Sequence, residues 1–158
     1  MTTPTYNEEW IDPIFAAVVS DVQKSGYFER VNQHEPKRKP KGGMSAAVWI
    51  QRIDPIALAS GLASTSGRLT FIVRMYIRMI QTDMDAMDPL LTKATSNLMR
   101  RYHDDFDFEG AIRNVDLLGH HGIALSAQAG YLEQDNTNYR IMDLTVPCLV
   151  NDVWPQVK

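Results

Sequence analysis

Hydrophobic and polar positions alternate without a break from Arg68 to Ile80. Leu69, Phe71, Val73, Met75, Ile77 and Met79 fall on one side, and Thr70, Ile72, Arg74, Tyr76, Arg78 and Ile80 on the other. This period of two predicts a strand much longer than the usual five or six residues, roughly the mode for strands in globular proteins. Its first side is wholly apolar and belongs in a core. Its second side mixes aliphatic residues with Arg74, Tyr76 and Arg78, a composition found at protein interfaces. Two coverings fit that side: a neighbouring subunit, or one of the chain's own helices with the arginine heads reaching out to water.

Helical spacing dominates two other stretches. Ile11, Ile14, Phe15, Val18, Val19 and Val22 recur at helical intervals, with Asp12 as the expected N-cap, Pro13 at the first helical position and Gly26 as the stop. After the long strand, Asp83, Asp85 and Asp88 cluster where a second helix should begin, with Asp88-Pro89 matching an N-cap followed by proline. Leu90, Leu91, Ala94, Leu98 and Tyr102 form its expected buried stripe, and Arg100 and Arg101 suit the opposite pole of the helix dipole.

Shorter strands are expected at Phe28 to His34 and Met44 to Ile53, then at Ile112 to Leu118, Gly122 to Glu133 and Asn138 to Val150, the last two joined by a turn at Gln134 to Thr137. Two loops should project. Residues 35–43 carry Pro36, Pro40, Gly42 and Gly43, and residues 54–67 are rich in serine and glycine, a segment expected to need a partner surface to become ordered. With residues 1–10 as a flexible start, the elements amount to one α+β domain over residues 1–158, with two main helices and about six strands.

Composition narrows the function classes. An apolar fraction of 44% and a charged fraction of 22% are those of a globular chain. A net charge of −3 gives no global attraction to nucleic acid or to an anionic membrane. The single cysteine, Cys148, cannot form an intrachain disulfide and is expected to pack as a small hydrophobe in a reducing compartment. The first nine residues lack the basic and apolar regions of a signal peptide, and the apolar window of the long strand is interrupted by arginines, so a soluble intracellular product is expected.

Candidate chemistry is sparse. His120 and His121 are adjacent, so on a strand they would point to opposite faces, although flanking Gly119 and Gly122 could form a turn; His34 and His103 stand apart. The acidic run from His103 to Glu109 lacks the ligand order of a calcium loop and reads as a solvated helix-to-strand loop anchored by Phe106 and Phe108. No phosphate-binding glycine motif or Gly-x-Ser-x-Gly elbow occurs, so no catalytic, metal or cofactor site is expected, and the chain does not read as an enzyme. Lys37, Arg38, Lys39 and Lys41 form the one basic cluster. It could contact phosphates or an acidic protein surface, or simply be a solvated hairpin; no aromatic residue is interleaved to stack bases.

The order of elements resembles that of the tail terminator, or tail-completion, proteins of long-tailed bacteriophages. The similarity runs from about Pro13 to Val153 and includes Ile14 to Val19 in the opening helix, Phe28-Glu29-Arg30-Val31 leading into His34-Glu35-Pro36-Lys37, and the Trp49 strand. It continues through Phe71 to Tyr76, the Met84 to Tyr102 helix and the ending Leu144 to Cys148. The resemblance implies a mixed, mostly antiparallel sheet flanked by helices, in a subunit of a homohexameric ring at the head-proximal end of the virion tail, assembled in the host cytoplasm. Such a ring caps the tail-tube protein, ends its polymerisation and receives a head-completion or neck protein, and DNA later passes through its bore without sequence-specific binding. It implies no catalytic residue, metal or cofactor. A closing ring needs two different patches; Arg74, Tyr76 and Arg78 are candidates for one, and Asp83, Asp85 and Asp88, or Asp104, Asp105 and Asp107, for the other. The basic residues Lys37, Arg38, Lys39 and Lys41 are placed on an outer or axial surface. Rival readings are another neck or head-completion connector, a small nucleic-acid-binding adaptor, and a hydrolase built on His120 or His121.

Overall fold

A computed structural model describes residues 9–33, 44–58, 63–79 and 84–156. The expected loop at 35–43, with Lys37, Arg38, Lys39 and Lys41, lies outside the described residues, as do His34 and Asp83. The elements in chain order are α1 (Ile11–Lys24), β1 (Arg30–Asn32), β2 (Ser45–Ile56), β3 (Ser64–Arg78), α2 (Met84–Asp104), β4 (Asn114–Val115), β5 (Ser126–Gln134) and β6 (Thr137–Pro155). They form an α+β fold on one mixed six-stranded sheet of order β1-β2-β3-β6-β4, with β5 beside β6. Among the described residues only the β1–β2 pair is parallel.

The long strand divides as its alternation predicts. Leu69, Phe71, Val73, Met75 and Ile77 enter the main core, where they meet Ile14, Val18, Val19 and Val22 of α1 and Leu91, Ala94, Leu98 and Tyr102 of α2. Val48 of β2 and Leu144, Val146 and Cys148 of β6 complete this layer. Both helices therefore pack on the same side of the sheet. Burial pushes the Cys148 thiol well above its ordinary pKa, because no charge or donor offsets the loss of water around a thiolate.

Several boundaries differ from expectation. The N-cap of α1 is Trp10, without a side-chain cap bond, and Asp12 sits in the first turn. Proline is accommodated there because the first N–H groups of a helix have no intrahelical acceptor. Helix α2 begins at Met84, so Asp88 is not its N-cap and Pro89 lies inside it. Of the expected stripe, Leu91, Ala94, Leu98 and Tyr102 are buried; Leu90 is 45% exposed, and Met87 is buried instead.

Both ends of the expected loop at 54–67 are strand, residues 54–56 in β2 and 64–67 in β3, and residues 59–62 lie outside the described residues. Ladder pairs run out to Asp54↔Arg68, Pro55↔Gly67 and Ile56↔Ser66, and Gly67 also faces Val150 of β6. A glycine is required there: a Cβ at Gly67 would come within 2.9 Å of Val153 Cγ2 and 3.1 Å of the Trp154 ring. Strand β4 is only two residues long and β5 starts at Ser126. The chain between them turns at Gly119 and Gly122, whose φ values of 76° and 106° suit glycine. The predicted turn before β6 is present, with Asp135 and Asn136 both at positive φ (51° and 59°), the signature of a tight type I′ hairpin.

Candidate functional site

The side of the sheet turned away from the helices collects the polar–aromatic positions. On β3 these are Thr70, Ile72, Arg74, Tyr76 and Arg78; register places Trp49 of β2 beside Ile72, and Asp143, Ile141 and Tyr139 of β6 beside Arg74, Tyr76 and Arg78. Among the described residues no helix contributes to the small cluster on this side, which consists of Ala47, Tyr76, Tyr139 and Ile141 with Trp49 and Leu132 packed against it. No described helix covers this side, yet Ile72, Tyr76, Tyr139 and Ile141 are already buried within the chain, with Trp49 and Leu132 packed against the Tyr76, Tyr139 and Ile141 cluster.

The side chains on this face are held in place. Arg74 grips Asp143 with two parallel hydrogen bonds, Nε donating to Oδ1 at 2.6 Å and Nη2 to Oδ2 at 2.9 Å. Its guanidinium carbon lies 5.1 Å from the centre of the Trp49 ring, so the cation is fixed between a carboxylate and an aromatic face. The bond to Asp143 raises the Arg74 pKa beyond its already high value, and desolvation only partly offsets it. Tyr76 is buried edge-on against Tyr139, with ring centres 5.9 Å apart and planes at 83°. Burial raises the Tyr139 pKa, with the nearby Arg78 charge opposing.

The carboxylates proposed as the opposing patch are arranged differently. Asp88 pairs within the chain with Arg140, Nε to Oδ1 at 2.8 Å, and Arg140 also lies 4.3 Å over the Tyr131 ring. Asp85 is exposed on the first turn of α2. Arg74 and Asp88 thus each have a partner on β6, Arg74 on the helix-free face and Asp88 on the helix-bearing side.

Elsewhere, Asp116 is a buried residue that sequence reasoning passed over. Its carboxylate accepts the backbone N–H of His120 at 3.0 Å and of His121 at 2.9 Å, closing the turn that carries both histidines. His103 sits on α2 with Nδ1 2.7 Å from the Met99 carbonyl oxygen. In the acidic run, Phe108 is the anchor, packed edge-on against Tyr102 at 5.8 Å, whereas Phe106 is 50% exposed. Among the described residues no group of three or more histidine, cysteine, aspartate or glutamate side chains is placed to hold a metal ion, and no helix is long and apolar enough to cross a membrane.

A cleft of about 410 Å³ lies between α1 and the end of α2, lined by Asp21, Lys24, Arg101, Asp104, Asp105 and Glu109 among others. Asp21 and Arg101 pair across it at 2.8 Å. Beneath them Tyr102 is fully buried, and among the described residues its hydroxyl has no hydrogen-bond partner. Burial, and secondarily the Asp21 charge, hold its pKa well above the usual value. Tyr102→Phe is accordingly expected to leave stability unchanged or raise it by about 1 kcal/mol in urea unfolding, since it deletes a desolvated hydroxyl without removing a bond. A loss of that size would instead reveal a buried partner.

No protein-family model matches this chain, and no curated protein is similar to it.

Proposed function

We propose that this chain is a structural virion subunit that forms a ring, homohexameric by its resemblance to tail terminators, capping the head-proximal end of a phage tail tube. In this role it stops tube polymerisation and joins the tail to a head-completion or neck protein, with DNA passing through the bore, and it carries out no catalysis. The observation that carries the reading is the helix-free face of the sheet, where Arg74, Trp49, Asp143, Tyr76 and Tyr139 are mutually fixed. Tyr76 and Tyr139 are buried within the chain, while Arg74 and Trp49 stay part-exposed, and pre-fixed side chains of those two types lose little conformational freedom on docking, which suits a surface that must engage a repeating protein wall. The α+β element order is compatible with the same reading, in which this face would serve as one of the two patches a closing ring requires.

The test is the mass and symmetry of the purified protein, with and without preformed tail tubes, by light scattering and negative-stain microscopy. Rings at one end of each tube are expected. Arg74→Glu would set a second carboxylate against Asp143, so Arg78→Glu is the better probe of the face. It is expected to lower ring formation at least tenfold while leaving the circular dichroism spectrum unchanged. Normal capping by Arg78→Glu would remove this face from the interface, and a protein that never decorates tube ends would remove the reading itself.

A further inference from the structure

The two edges of the sheet are built differently. Beyond the part of β2 paired with β1, the β2 edge carries a bulge between Ile50 and Arg52, the exposed charge of Arg52, and Pro55, all devices that discourage another strand from adding. Strand β5 has neither bulge nor proline. It keeps one unbroken register with β6 from Ser126 to Gln134, contains no proline, and bears a single charge, Glu133, near its end. Among the described residues its other side pairs with nothing.

The hairpin turn fixes which groups that open side presents. A two-residue turn makes Gln134 and Thr137 a hydrogen-bonded pair, and alternation then directs the backbone N–H and C=O of Ala127, Ala129, Tyr131 and Glu133 outward. Ala127, Ala129 and Tyr131 also share one side of the strand and are all exposed, Tyr131 to 69%.

We propose that β5 is a self-pairing edge, joined antiparallel to β5 of a second copy of this chain about a two-fold axis at Ala129. Only registers that set outward-facing groups opposite each other can bond, and the one centred on Ala129 is complementary in size. Tyr131 faces Ala127 of the second copy, Leu132 faces Ser126, and Gln128 faces Gly130, so each bulky residue meets a small one on both sides of the joined sheet. Glu133 faces Leu125 and never its own counterpart, so no like charges meet. A second copy therefore fits this edge through the edge's own sequence, with no other partner chemistry needed. The contact is isologous and closes at two copies. It supplies no ring by itself, uses neither the Arg74 nor the Trp49 side chain, and does not depend on the tube-capping reading. A strand-edge contact of this length falls below the roughly 800 Å² per partner of a standard interface, so the dimer should be reversible and depend on concentration.

Light scattering of the intact protein over a concentration series tests this. The wild type is expected to pass from monomer to dimer. Ala129→Lys and Ala129→Glu each place like charges across the axis and should weaken the dimer at least tenfold, and their equimolar mixture should restore it by pairing lysine with glutamate. Ala129→Pro removes only an outward N–H and should also give a folded monomer, as judged by circular dichroism. A wild type that stays monomeric throughout, an unchanged oligomer in Ala129→Lys, or a mixture that fails to re-form the dimer would each overturn the proposal.

Discussion

Arg68→Ala is expected to cost about 3 kcal/mol or more of folding stability, the range for removing one partner of a buried ion pair. The Arg68 side chain is 7% exposed and that of Asp54 17%. Its Nε donates to Asp54 Oδ1 at 3.0 Å and its Nη2 to Oδ2 at 2.5 Å, a bidentate clasp between β2 and β3. The third guanidinium nitrogen, Nη1, donates to the His121 carbonyl at 2.8 Å and so fastens the turn closed by Asp116 to the far end of the same ladder. Truncation strands Asp54 with only the exposed Arg52 nearby, at 3.6 Å, and leaves the His121 carbonyl short of a donor. Urea unfolding should show the loss, and the double change with Asp54→Ala should cost clearly less than the sum of the single changes, because the stranded carboxylate is then absent. A loss under about 1 kcal/mol would mean that the clasp exchanges freely with water, as exposed pairs do.

Why this clasp escaped sequence reasoning explains much of what was and was not legible. Alternation from Leu69 to Ile77 is a local signal with period two, and the core accepted it position by position. The hairpin turn was equally local, since Asp135 and Asn136 tolerate positive φ. Burial of Arg68, by contrast, depends on a carboxylate fourteen residues earlier and a carbonyl fifty-three residues later, and no local pattern encodes either. The same applies to Ser64, Ser66 and Gly67. Their small polar character reads as loop, yet Asp152 and the Val153–Trp154 segment of β6 hold them in the sheet. The start of α2 was misread only at its cap: Asp88-Pro89 carries a start signal that the structure places inside the helix, so Met87 is buried and Leu90 is not. Among the candidate interface residues, Arg74, Tyr76 and Arg78 do share one face, as alternation requires. What the sequence did not reveal was that Asp143 and Arg140, three residues apart on β6, would engage Arg74 and Asp88 from within the same chain.

Phe71→Ala is expected to be the most damaging single truncation, at about 4 kcal/mol, within the range for removing a buried phenylalanine. Phe71 is fully buried on the helix-bearing side of β3, between Ile50 and Val146 in the flanking strands. Its ring lies 5.8 Å from that of Phe15, which makes it part of the floor on which α1 rests. Alanine would open a cavity beneath the helix that the close-paired ladder cannot collapse to fill, and would leave Phe15 without its aromatic neighbour. For a domain of this size such a loss corresponds to a fall in melting temperature of roughly 8–16 °C. Ile53→Ala, at a site 48% exposed, should by contrast change stability by no more than about 0.5 kcal/mol. A cycle with Phe15→Ala separates the two contributions: coupling of about 1 kcal/mol is expected if the ring contact itself holds α1. Coupling near zero alongside the full Phe71 loss would assign the cost to the sheet core alone. Helix α1 would then depend on Val18, Val22 and the Asp21–Arg101 pair for its attachment, and truncating those residues should release it while the sheet stays folded.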